Sequence, residues 1–475
     1  MRLGELEGLR EGGQGRDGFP ESYYRERCGE KIVRRAGPPE GLEVEVAVVG
    51  AGLTGLCTAL ALAERGHRVV VLESKRGGWA ASGRNGGFAL PGLTVGPEQL
   101  LEKWGEADAR RVYQMTLAAA DTLKRRISSH SIRCDLALGG SANVSPFSAD
   151  APATLAAVDR CNRLLGTRFE YWPPERCALL LPNSRYHHAV FDPDAFTVNP
   201  LALCLGLARA AESLGVLIFE DSAVQSILDL SPTCASFSLP ETSPAPDMRR
   251  FCLSLKGGGS VISKEVVLAG SCHLDGQLER TVARCVTPVY SHVGVTKPLG
   301  KERMALLVAP EGPACVFDDL ASVNYYRPLP DGRLLWGARL DCTTATEEFS
   351  EDLARQIRQR ILHYYPALRD EDIDIEYTWG GDMAFGWSQL PLIGRRRTGL
   401  YYATGFGGHG VVPTTMAGEM IADAIHQGPD QPTSLDFYQS LAPPLPVGYP
   451  FDRVLGVVYM SLLTTVDSIR VHFGI

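Results

Sequence analysis

The segment Gly50-Ala51-Gly52-Leu53-Thr54-Gly55 follows a short β-branched run, Val44 to Val49. It opens a stretch in which apolar residues recur at helical spacing, Leu53 to Arg65. A second β-branched run, Arg68 to Leu72, comes next and is followed by Glu73. This order predicts a strand, a helix and a second strand, with the glycines in the turn before the helix. Such a unit binds the pyrophosphate of a dinucleotide.

Each key residue of this turn has a physical role in that interpretation. Gly50 makes the tight turn, Gly52 lets the backbone approach the pyrophosphate, and Gly55 lets the helix pack closely on the strand. The N-terminus of the helix attracts the phosphate charge. Glu73 is placed to accept hydrogen bonds from the ribose hydroxyls of the adenosine.

Two further glycine-rich segments favour FAD over a nicotinamide dinucleotide. Ser82-Gly83-Arg84-Asn85-Gly86-Gly87 follows the second strand and offers a run of backbone N–H donors. Gly405-Phe406-Gly407-Gly408-His409-Gly410 lies between a predicted strand, Gly399 to Thr404, and a predicted helix from about Pro413 to Ile425. A helix N-terminus there would stabilise the negative charge of a reduced flavin, whereas a nicotinamide enzyme has no use for this distant segment.

Composition and charge argue against several classes of partner. The 475 residues carry a formal net charge of -8 with both signs interspersed, so a nucleic acid is not expected as a partner. The 12 cysteines include no CxxC pair and no Cys/His cluster at metal-ligand spacing, so we expect reduced thiols and no metal. The first residues are acidic and lack an apolar run, which predicts a cytoplasmic enzyme. Membrane association is not expected, because the apolar stretch Val454 to Val466 is shorter than the roughly 20 residues of a spanning helix.

The signals of the nucleotide-binding domain are spread from residue 44 to residue 425, so another domain must interrupt them. We expect an α/β fold, in which a Rossmann-like FAD-binding domain is interrupted by an α+β substrate domain with an antiparallel sheet. The expected division is a flexible N-terminal arm at 1–40, pinned locally by Tyr23 and Tyr24; the FAD-binding domain at 41–140, 195–285 and 375–440; the substrate domain at 141–194 and 286–374; and a C-terminal helical segment at 441–475.

Five segments, taken together, carry a resemblance to a known family. They are Ser22-Tyr23-Tyr24, VAVVGAGLTGL at 46–56, GWAASGRNGG at 78–87, WGGDMAFGWSQLPLIG at 379–394 and GLYYATGFGGHGV at 399–411. The set resembles the FAD-dependent oxidoreductases of the D-amino-acid oxidase type, and within them the branch that contains gamma-glutamylputrescine oxidoreductase. The motifs are highly specific for the family and weakly specific for the substrate.

The resemblance implies which positions hold FAD and how. Relatives of the sarcosine oxidase kind attach the flavin through a cysteine in the C-terminal third, and here no cysteine follows Cys342, so the resemblance implies non-covalent FAD. The implied FAD-binding residues are Gly50, Gly52, Leu53, Thr54, Gly55, Glu73, Ser74, Ser82, Gly83, Arg84, Asn85, Gly86, Gly87, Phe88, Val224, Gly405, Phe406, Gly407, Gly408, His409, Gly410 and Val411.

Three positions depart from the relatives. Val412 stands where carboxylate-binding relatives have a lysine, which disfavours a short α-amino acid held by its carboxylate. Phe88 and Ser388 stand where the branch commonly has Gln and Asp, and both changes weigh against gamma-glutamylputrescine itself as the substrate.

The resemblance also implies the reaction and its partners. A C–N bond of a small amine or amino-acid-like substrate is oxidised by hydride transfer to flavin N5, water hydrolyses the imine, and O2 or another acceptor reoxidises the flavin. Positioning and the exclusion of solvent do most of this work, so little acid-base chemistry is required of the protein.

Candidate substrate-contacting residues cluster in a strand-like region of the interrupting domain. Tyr325, Arg327 and Arg339 are the main candidates, and the two arginines either hold a carboxylate or form surface salt bridges. The neighbouring Asn324 and Trp336 complete the cluster, although its aromatics also fit simple core packing. Elsewhere, His409 is a candidate for contact with substrate or flavin, or else a loop spacer, and Lys297 is a candidate for assisting oxygen reduction.

Two alternative functions stay open at this point. One is a dehydrogenase of the same fold that passes electrons to a quinone or a carrier protein. The other is a flavin-binding protein without catalysis, suggested by Phe88, Ser388 and Val412 in place of polar family residues. Turnover of a panel of amines, measured as peroxide or as dye reduction, distinguishes the three functions.

Overall fold

The computed structural model describes residues 18–230, 251–320, 323–341 and 349–444, and of residues 338–341 only the backbone. The strands, in chain order, are β1 (Leu42–Val49), β2 (Val69–Leu72), β3 (Phe88–Ala89), β4 (Ala137–Leu138), β5 (Ser141–Ser145), β6 (Glu170–Trp172), β7 (His188–Asp192), β8 (Phe196–Thr197), β9 (Leu217–Phe219), β10 (Val224–Asp229), β11 (Phe251–Leu255), β12 (Ser260–Leu268), β13 (Val286–Thr296), β14 (Cys315–Asp318), β15 (Tyr325–Pro328), β16 (Leu334–Asp341), β17 (Ile375–Gly386), β18 (Leu392–Arg397) and β19 (Leu400–Thr404). The α-helices are α1 (Tyr23–Glu26), α2 (Leu53–Glu64), α3 (Ala81–Arg84), α4 (Pro97–Ser129, kinked at Gly105), α5 (Ala151–Leu165), α6 (Pro174–Leu180), α7 (Pro200–Ser213), α8 (Arg280–Ala283), α9 (Gly300–Ala305), α10 (Glu351–Tyr364), α11 (Val411–Gln427) and α12 (Ser434–Leu441).

The first sheet has the parallel centre of a nucleotide-binding domain. Its strand order is β10-β11-β12-β1-β2-β9, with β19 paired to β12 and β18 paired to β19. β1 runs parallel to both β12 and β2, so that Val48 lies opposite Val267 on one side and Val71 on the other. The buried valines of β1 and β2 are typical of a sheet covered on both faces by helices. The predicted strand, helix and strand around the first glycine turn are confirmed.

The helices α2 and α11 begin at the same edge of this sheet. α2 follows β1 and α11 follows β19, and both strands run parallel to β12. The two helices pack closely, because a Cβ at Gly418 on α11 would lie 2.8 Å from the backbone carbonyl carbon of Cys57 on α2. The fully buried Arg126 on α4 joins them, since its Nη2 lies 2.5 Å from carboxylate oxygens of Glu64 and Glu419. The two helix N-termini therefore face the same region.

The second sheet is mainly antiparallel and is built from two distant parts of the chain. Its order is β17-β13-β16-β15-β14-β5-β7-β6, and only β14 and β5 pair in parallel. The α10 helix covers it and shares its core cluster. The expected fold class, a Rossmann-like domain interrupted by an α+β unit with an antiparallel sheet, is confirmed. β17 belongs to this second sheet, so a division by sheet assigns residues 375–386 to the substrate domain rather than to the FAD-binding domain.

The described part of the N-terminal arm packs against both sheets. Tyr23 and Tyr24 are buried, as the sequence indicated, and the Tyr24 ring meets the Trp379 ring edge-on at 5.2 Å. Glu30 bonds to the guanidinium of Arg209 on α7. Three parts of the chain lie outside the described residues. They are residues 1–17 of the arm, a segment at 231–246 that its Pro, Ser and Thr content predicts to be a surface loop, and residues 445–475 of the C-terminal segment. No helix in the described ranges is long and apolar enough to cross a membrane.

Candidate functional site

The first glycine turn has the geometry that its sequence predicts. Gly50 has a φ of +107°, and a Cβ there would lie 2.7 Å from the carbonyl oxygen of Ala269. A Cβ at Gly55 would lie only 1.9 Å from the carbonyl oxygen of Gly50, so helix and turn touch backbone to backbone. A Cβ at Gly52 would lie 2.8 Å from Oγ of Ser82. Side chains at Gly50 and Gly55 would collide with the backbone around the turn, and a side chain at Gly52 would fill space beside the helix N-terminus, where a pyrophosphate would lie.

The N-terminus of α2 is open to an anion. Gly52 is its N-cap and offers no side chain, and no acidic residue lies in the first turn. Oγ of Ser82 accepts a hydrogen bond from the backbone N–H of Leu53 at 2.9 Å, which brings the second glycine segment onto this helix end. α11 begins in the same way, with Gly410 as N-cap and no acidic first turn. The N-termini of α2 and α11, which are the positive ends of the two helix dipoles, therefore lie at the same region of the protein.

Glu73 lies at the end of β2, beside the first glycine turn. Its Oε2 accepts from the backbone N–H of Ala51 at 2.7 Å, and its Oε1 accepts from that of Lys75 at 2.8 Å and from the hydroxyl of Ser74 at 3.2 Å. Burial raises the pKa of Glu73, while these donors act in the opposite direction. The carbonyl oxygen of Glu73 also accepts a hydrogen bond from the backbone N–H of Ser222. Val224, at the start of β10, lies two residues after Ser222 in the chain.

The second glycine segment is folded by the side chains of Asn85 and Arg84. Asn85 Oδ1 accepts from the N–H of Gly87 at 2.9 Å, and its Nδ2 donates to the carbonyl oxygens of Ala81 and Ser82. Arg84 Nε donates to the carbonyl oxygen of Trp79 at 2.7 Å, and the guanidinium stacks on that indole at 4.3 Å. The polar side chains of this segment are thus used to shape its backbone.

The third glycine segment is joined to β17 and to the residues after β3. Gly407 has a φ of +59°, and its N–H donates to the carbonyl oxygen of Ala384 at 2.8 Å. The hydroxyl of Thr94 donates to the carbonyl oxygen of Phe406 at 2.9 Å. The structure therefore brings all three glycine segments to one edge of the first sheet, with helix ends free of acids. These residues fit FAD.

His409 is used to hold this segment in place. Its Nε2 lies 3.0 Å from the carbonyl oxygen of Leu90 and 3.1 Å from that of Pro91. Both partners are acceptors, so Nε2 must carry a proton and donate. Burial lowers the pKa of His409, which favours the neutral ring with its proton on Nε2. A contact of His409 with substrate or flavin stays a prediction, because the described partners of this nitrogen belong to the protein.

Tyr325 lies beside the second glycine segment, where the sequence placed the substrate wall. A Cβ at Gly86 would lie 2.8 Å from its ring, and the ring of Phe88 meets it edge-on at 5.7 Å. The Tyr325 hydroxyl lies 3.0 Å from Oγ of Ser291 on β13, and burial raises the pKa of Tyr325 to about 12. Ser291 was missed by the sequence reasoning; the alternation of its strand was the available signal. Gly337 on the next strand makes room, because a Cβ there would overlap the Tyr325 ring.

The structure gives Arg327 a different environment from the one expected. Its side chain is 2% exposed, and its Nε and Nη2 donate to the backbone carbonyl oxygens of Gly86 and Val198 at 2.9 and 2.8 Å. A surface salt bridge, one of the two roles considered for Arg327, is therefore wrong, and two of its three donor nitrogens, Nε and Nη2, are bonded to the protein. The side chain of Arg339 lies outside the described residues.

Three other residues singled out in the sequence lie away from this wall. Lys297 is 59% exposed and lies 2.6 Å from the Asp374 carboxylate, which argues against its candidate role in oxygen reduction. Trp336 stacks on Tyr326 at 4.4 Å in the core of the second sheet, which confirms core packing for that ring. Asn324 is buried and bonds to the Asp318 carboxylate at 2.6 Å.

A cluster that the sequence reasoning missed joins the two sheets beside the first glycine turn. His273 Nε2, just after β12, lies 2.9 Å from Oδ2 of Asp382 on β17. Although burial opposes it, the ion pair with His273 lowers the pKa of Asp382 to about 2. The ligand atoms of Cys272, His273 and Asp382 lie within 4.8 Å of one another, so the expectation of no Cys/His cluster is wrong in space. Burial raises the pKa of the Cys272 thiol, which keeps its proton, and the carboxylate already has its partner. The contact between His273 and Asp382 connects the first sheet to the second.

Comparison with known proteins agrees with this site. A family model described as FAD dependent oxidoreductase matches residues 45–424. The chain is 31% identical over 397 residues to a probable oxidoreductase OrdL of Haemophilus influenzae, across 80% of this chain and 82% of that one. It is 29% identical to the gamma-glutamylputrescine oxidoreductase of Escherichia coli, across 92% of this chain and 95% of that protein. The solved glycine oxidase of Geobacillus kaustophilus shares the fold with a TM-score of 0.66 at 21% identity, across 86% of this chain and 99% of that one.

Proposed function

Because the chain belongs to the family of FAD-dependent oxidoreductases, we propose that it oxidises a carbon-nitrogen bond in a small amine or amino-acid-like substrate. The observation that carries the proposal is the contact between Tyr325 and the glycine segment at Gly86, which places a wall of the second sheet directly against the flavin-binding loop. A cavity between a flavin and such a wall suits a small organic substrate.

The residues of the first sheet hold the cofactor. The N-terminus of α2, with Gly52 as its cap, binds the pyrophosphate, and Glu73 accepts from the adenosine ribose. The second helix end, at Gly410, would stabilise negative charge on the reduced flavin. When bound, FAD supplies the hydride acceptor. Binding is non-covalent, since no cysteine follows Cys342 in the sequence.

The wall residues orient the substrate and exclude water. The hydroxyls of Tyr325 and Ser291 offer a donor and an acceptor 3.0 Å apart, and the pKa of Tyr325 at about 12 keeps its proton in place at neutral pH. The Phe88 ring closes the side of the Tyr325 ring and contributes apolar surface. The proposed chemistry needs this positioning rather than a strong general base, because the substrate amine reacts in its neutral form.

The proposed substrate class depends on whether a cationic side chain is available to bind a substrate carboxylate. Val412, from which the sequence argued against a carboxylate, is fully buried in the core cluster at the start of α11, so the argument rests better on Arg327. Arg327 is bonded to Gly86 and Val198, and the wall residues Tyr325, Ser291 and Phe88 are neutral. A short α-amino acid would leave its carboxylate without a cation among these side chains, which is costly in a buried site. We propose longer amines or gamma-glutamyl amines, in keeping with the name of the Escherichia coli relative.

The electron acceptor is O2 or another oxidant, and a cytoplasmic location belongs to the same proposal. All cysteines of the described ranges are free thiols, as is usual in reducing compartments. A dehydrogenase that passes electrons to a quinone or carrier protein shares every feature of this site and is distinguished by the acceptor assay below.

The test is anaerobic mixing of the yellow holoprotein with glycine, sarcosine, putrescine and gamma-glutamylputrescine. We expect bleaching of the flavin absorbance by at least one of the two longer amines, followed by recovery with O2 or with an added dye. The matched control is Lys297→Ala, a surface change just after the strand that carries Ser291, which should bleach like the unchanged protein. If dithionite bleaches the flavin but no amine does, the proposal of amine oxidation fails and the non-catalytic alternative is favoured.

A further inference from the structure

Arg327 is a buried cation without an ion pair in the described part of the chain. Its hydrogen-bond partners are neutral: the carbonyl oxygens of Gly86 and Val198, and the hydroxyl of Tyr24 at 3.4 Å from Nη2. The guanidinium also lies 5.9 Å from the centre of the Tyr24 ring. The nearby Asp135 carboxylate compensates this charge in part, because burial raises the pKa of Asp135 and the charge of Arg327 opposes that rise. A buried charge without an opposite charge in direct contact is costly. A position that keeps such a charge therefore invites a functional explanation.

The hydrogen bonds of Arg327 fix the backbone of the second glycine segment. Gly87 has a φ of +78°, and a Cβ there would lie 2.8 Å from Nη2 of Arg327. The carbonyl oxygen of Gly87 accepts from the N–H of Val198 at 2.8 Å. Arg327 thus bonds to the carbonyl oxygens of Gly86 and Val198. The two chain segments that carry these oxygens are joined to each other by the hydrogen bond between Val198 and Gly87.

A second side chain from the same sheet holds the other end of this loop. The indole N–H of Trp379 donates to the carbonyl oxygen of Arg84 at 2.8 Å, two residues before Gly86. Trp379 and Tyr24 are fully buried and in edge-on contact, and Tyr24 in turn reaches Arg327. Two carbonyl oxygens of one loop are therefore held by β17 and β15 of the second sheet, and Tyr24 of the N-terminal arm connects the two holders.

We propose that Arg327 is a positioning residue that fixes the flavin-binding loop and that its buried charge stabilises the reduced flavin. This rests on the proposed function only in placing a flavin on that loop. A positive charge that is close to the ring but shielded from water favours the negatively charged reduced form, and it does so through a medium of low dielectric. The reduction potential of the bound flavin is accordingly more positive than it would be without Arg327.

The test compares Arg327→Lys and Arg327→Gln in the FAD-loaded protein. We expect Arg327→Gln to lower the two-electron potential by about 30 mV or more, which corresponds to a tenfold loss of preference for the reduced form. Arg327→Lys keeps the charge but cannot donate along two fixed directions, so its potential should stay near that of the unchanged protein. Its flavin absorption spectrum should shift, and its kcat should fall more than its KM rises.

The outcomes separate a positioning role from general stability. Lys297→Gln, which removes an exposed charge just after β13, is the matched control and should change neither potential nor spectrum. An unchanged potential in Arg327→Gln, or an equal fall in Arg327→Lys, overturns the charge part of the proposal. If Arg327→Gln does not fold, Arg327→Lys and Tyr24→Phe test the proposal in its place. A normal flavin spectrum and a normal kcat in both variants would overturn the proposal that Arg327 positions the loop. Potentials and spectra need no amine, so they stand even if the proposed substrate class fails.

Discussion

The imidazole of His273 lies 2.9 Å from the carboxylate of Asp382, and this ion pair connects the end of a central strand of the first sheet to the edge strand of the second. The carboxylate side chain is only 14% exposed, so solvent screens the pair weakly. This pair therefore helps to fix the position of β17 relative to the first sheet.

The first prediction concerns the pH dependence of stability. The pKa of Asp382, about 2 in the folded protein, lies below the unfolded value of about 3.9, so the carboxylate stabilises the fold fully above pH 4. This stabilisation, on the order of 2 kcal/mol, is lost as pH falls from 4 towards 2. Asp382→Asn should therefore lower the free energy of unfolding at pH 7 by that order and flatten its dependence below pH 4.

Denaturant titrations at pH 7, 5, 4 and 3 measure this effect. Asp374→Asn removes an exposed carboxylate that pairs with Lys297, and as a control it should change stability by less than about 1 kcal/mol. Equal unfolding free energies for Asp382→Asn and the unchanged protein at every pH would contradict the prediction.

The second prediction is that Gly52→Val abolishes FAD retention. The first atom of any side chain at Gly52 would lie 2.8 Å from Oγ of Ser82, in the space next to the helix end that binds the pyrophosphate. The measurement is the ratio of flavin to protein absorbance after purification. Gly257→Val, where a Cβ meets nothing within 4 Å, is the matched control and should retain FAD. Stoichiometric FAD in Gly52→Val would refute the role of this turn.

The third prediction is that the purified protein carries one FAD per chain that acid or heat releases. No cysteine follows Cys342, so the residues after it, which include the third glycine segment, offer no thiol for a covalent link. Precipitation with acid followed by absorbance of supernatant and pellet measures the release. Yellow colour that stays with the denatured polypeptide would show a covalent bond and contradict the prediction.

The fourth prediction is a substrate preference. Because Arg327 is bonded to backbone carbonyls, we expect sarcosine and glycine to be poor substrates and putrescine or gamma-glutamylputrescine to be better. An unpaired buried carboxylate costs several kcal/mol, and each 1.4 kcal/mol or so is about tenfold in kcat/KM, so a preference of about 100-fold or more is expected. Comparison of kcat/KM for the four compounds is the measurement. A preference for sarcosine or glycine would contradict the inference that the site lacks a cation for a substrate carboxylate. Arg339 would then be the leading candidate for that cation.

Local sequence patterns were sufficient for the cofactor side of the protein. The strand predicted at Gly399 to Thr404 is β19, because a short run of apolar residues encodes it. The first turn was predictable for the same reason, since Gly50, Gly52 and Gly55 act on backbone within a few residues of themselves. The helix predicted from Pro413 begins at Val411, because Gly410 already serves as its cap.

The substrate side could not be predicted in the same way. Arg327 is a cation on β15 and Lys297 is a cation just after β13 of the same sheet. Arg327 is buried and bonds to backbone carbonyl oxygens, whereas Lys297 is paired with Asp374 at the surface. His273 and Asp382 are more than a hundred residues apart in the chain, and no spacing rule connects them.

The sequence by itself determined the family, the dinucleotide turn and the interrupted order of the two sheets, because these depend on residue types at short spacings that fix backbone geometry. Only the tertiary structure decided which polar side chains are already used by the protein. That outcome depends on which strands become neighbours and which carbonyls they expose. Arg327 and His409 carry donors suited to a substrate, but folding gives those donors the backbone oxygens of Gly86, Val198, Leu90 and Pro91 as partners.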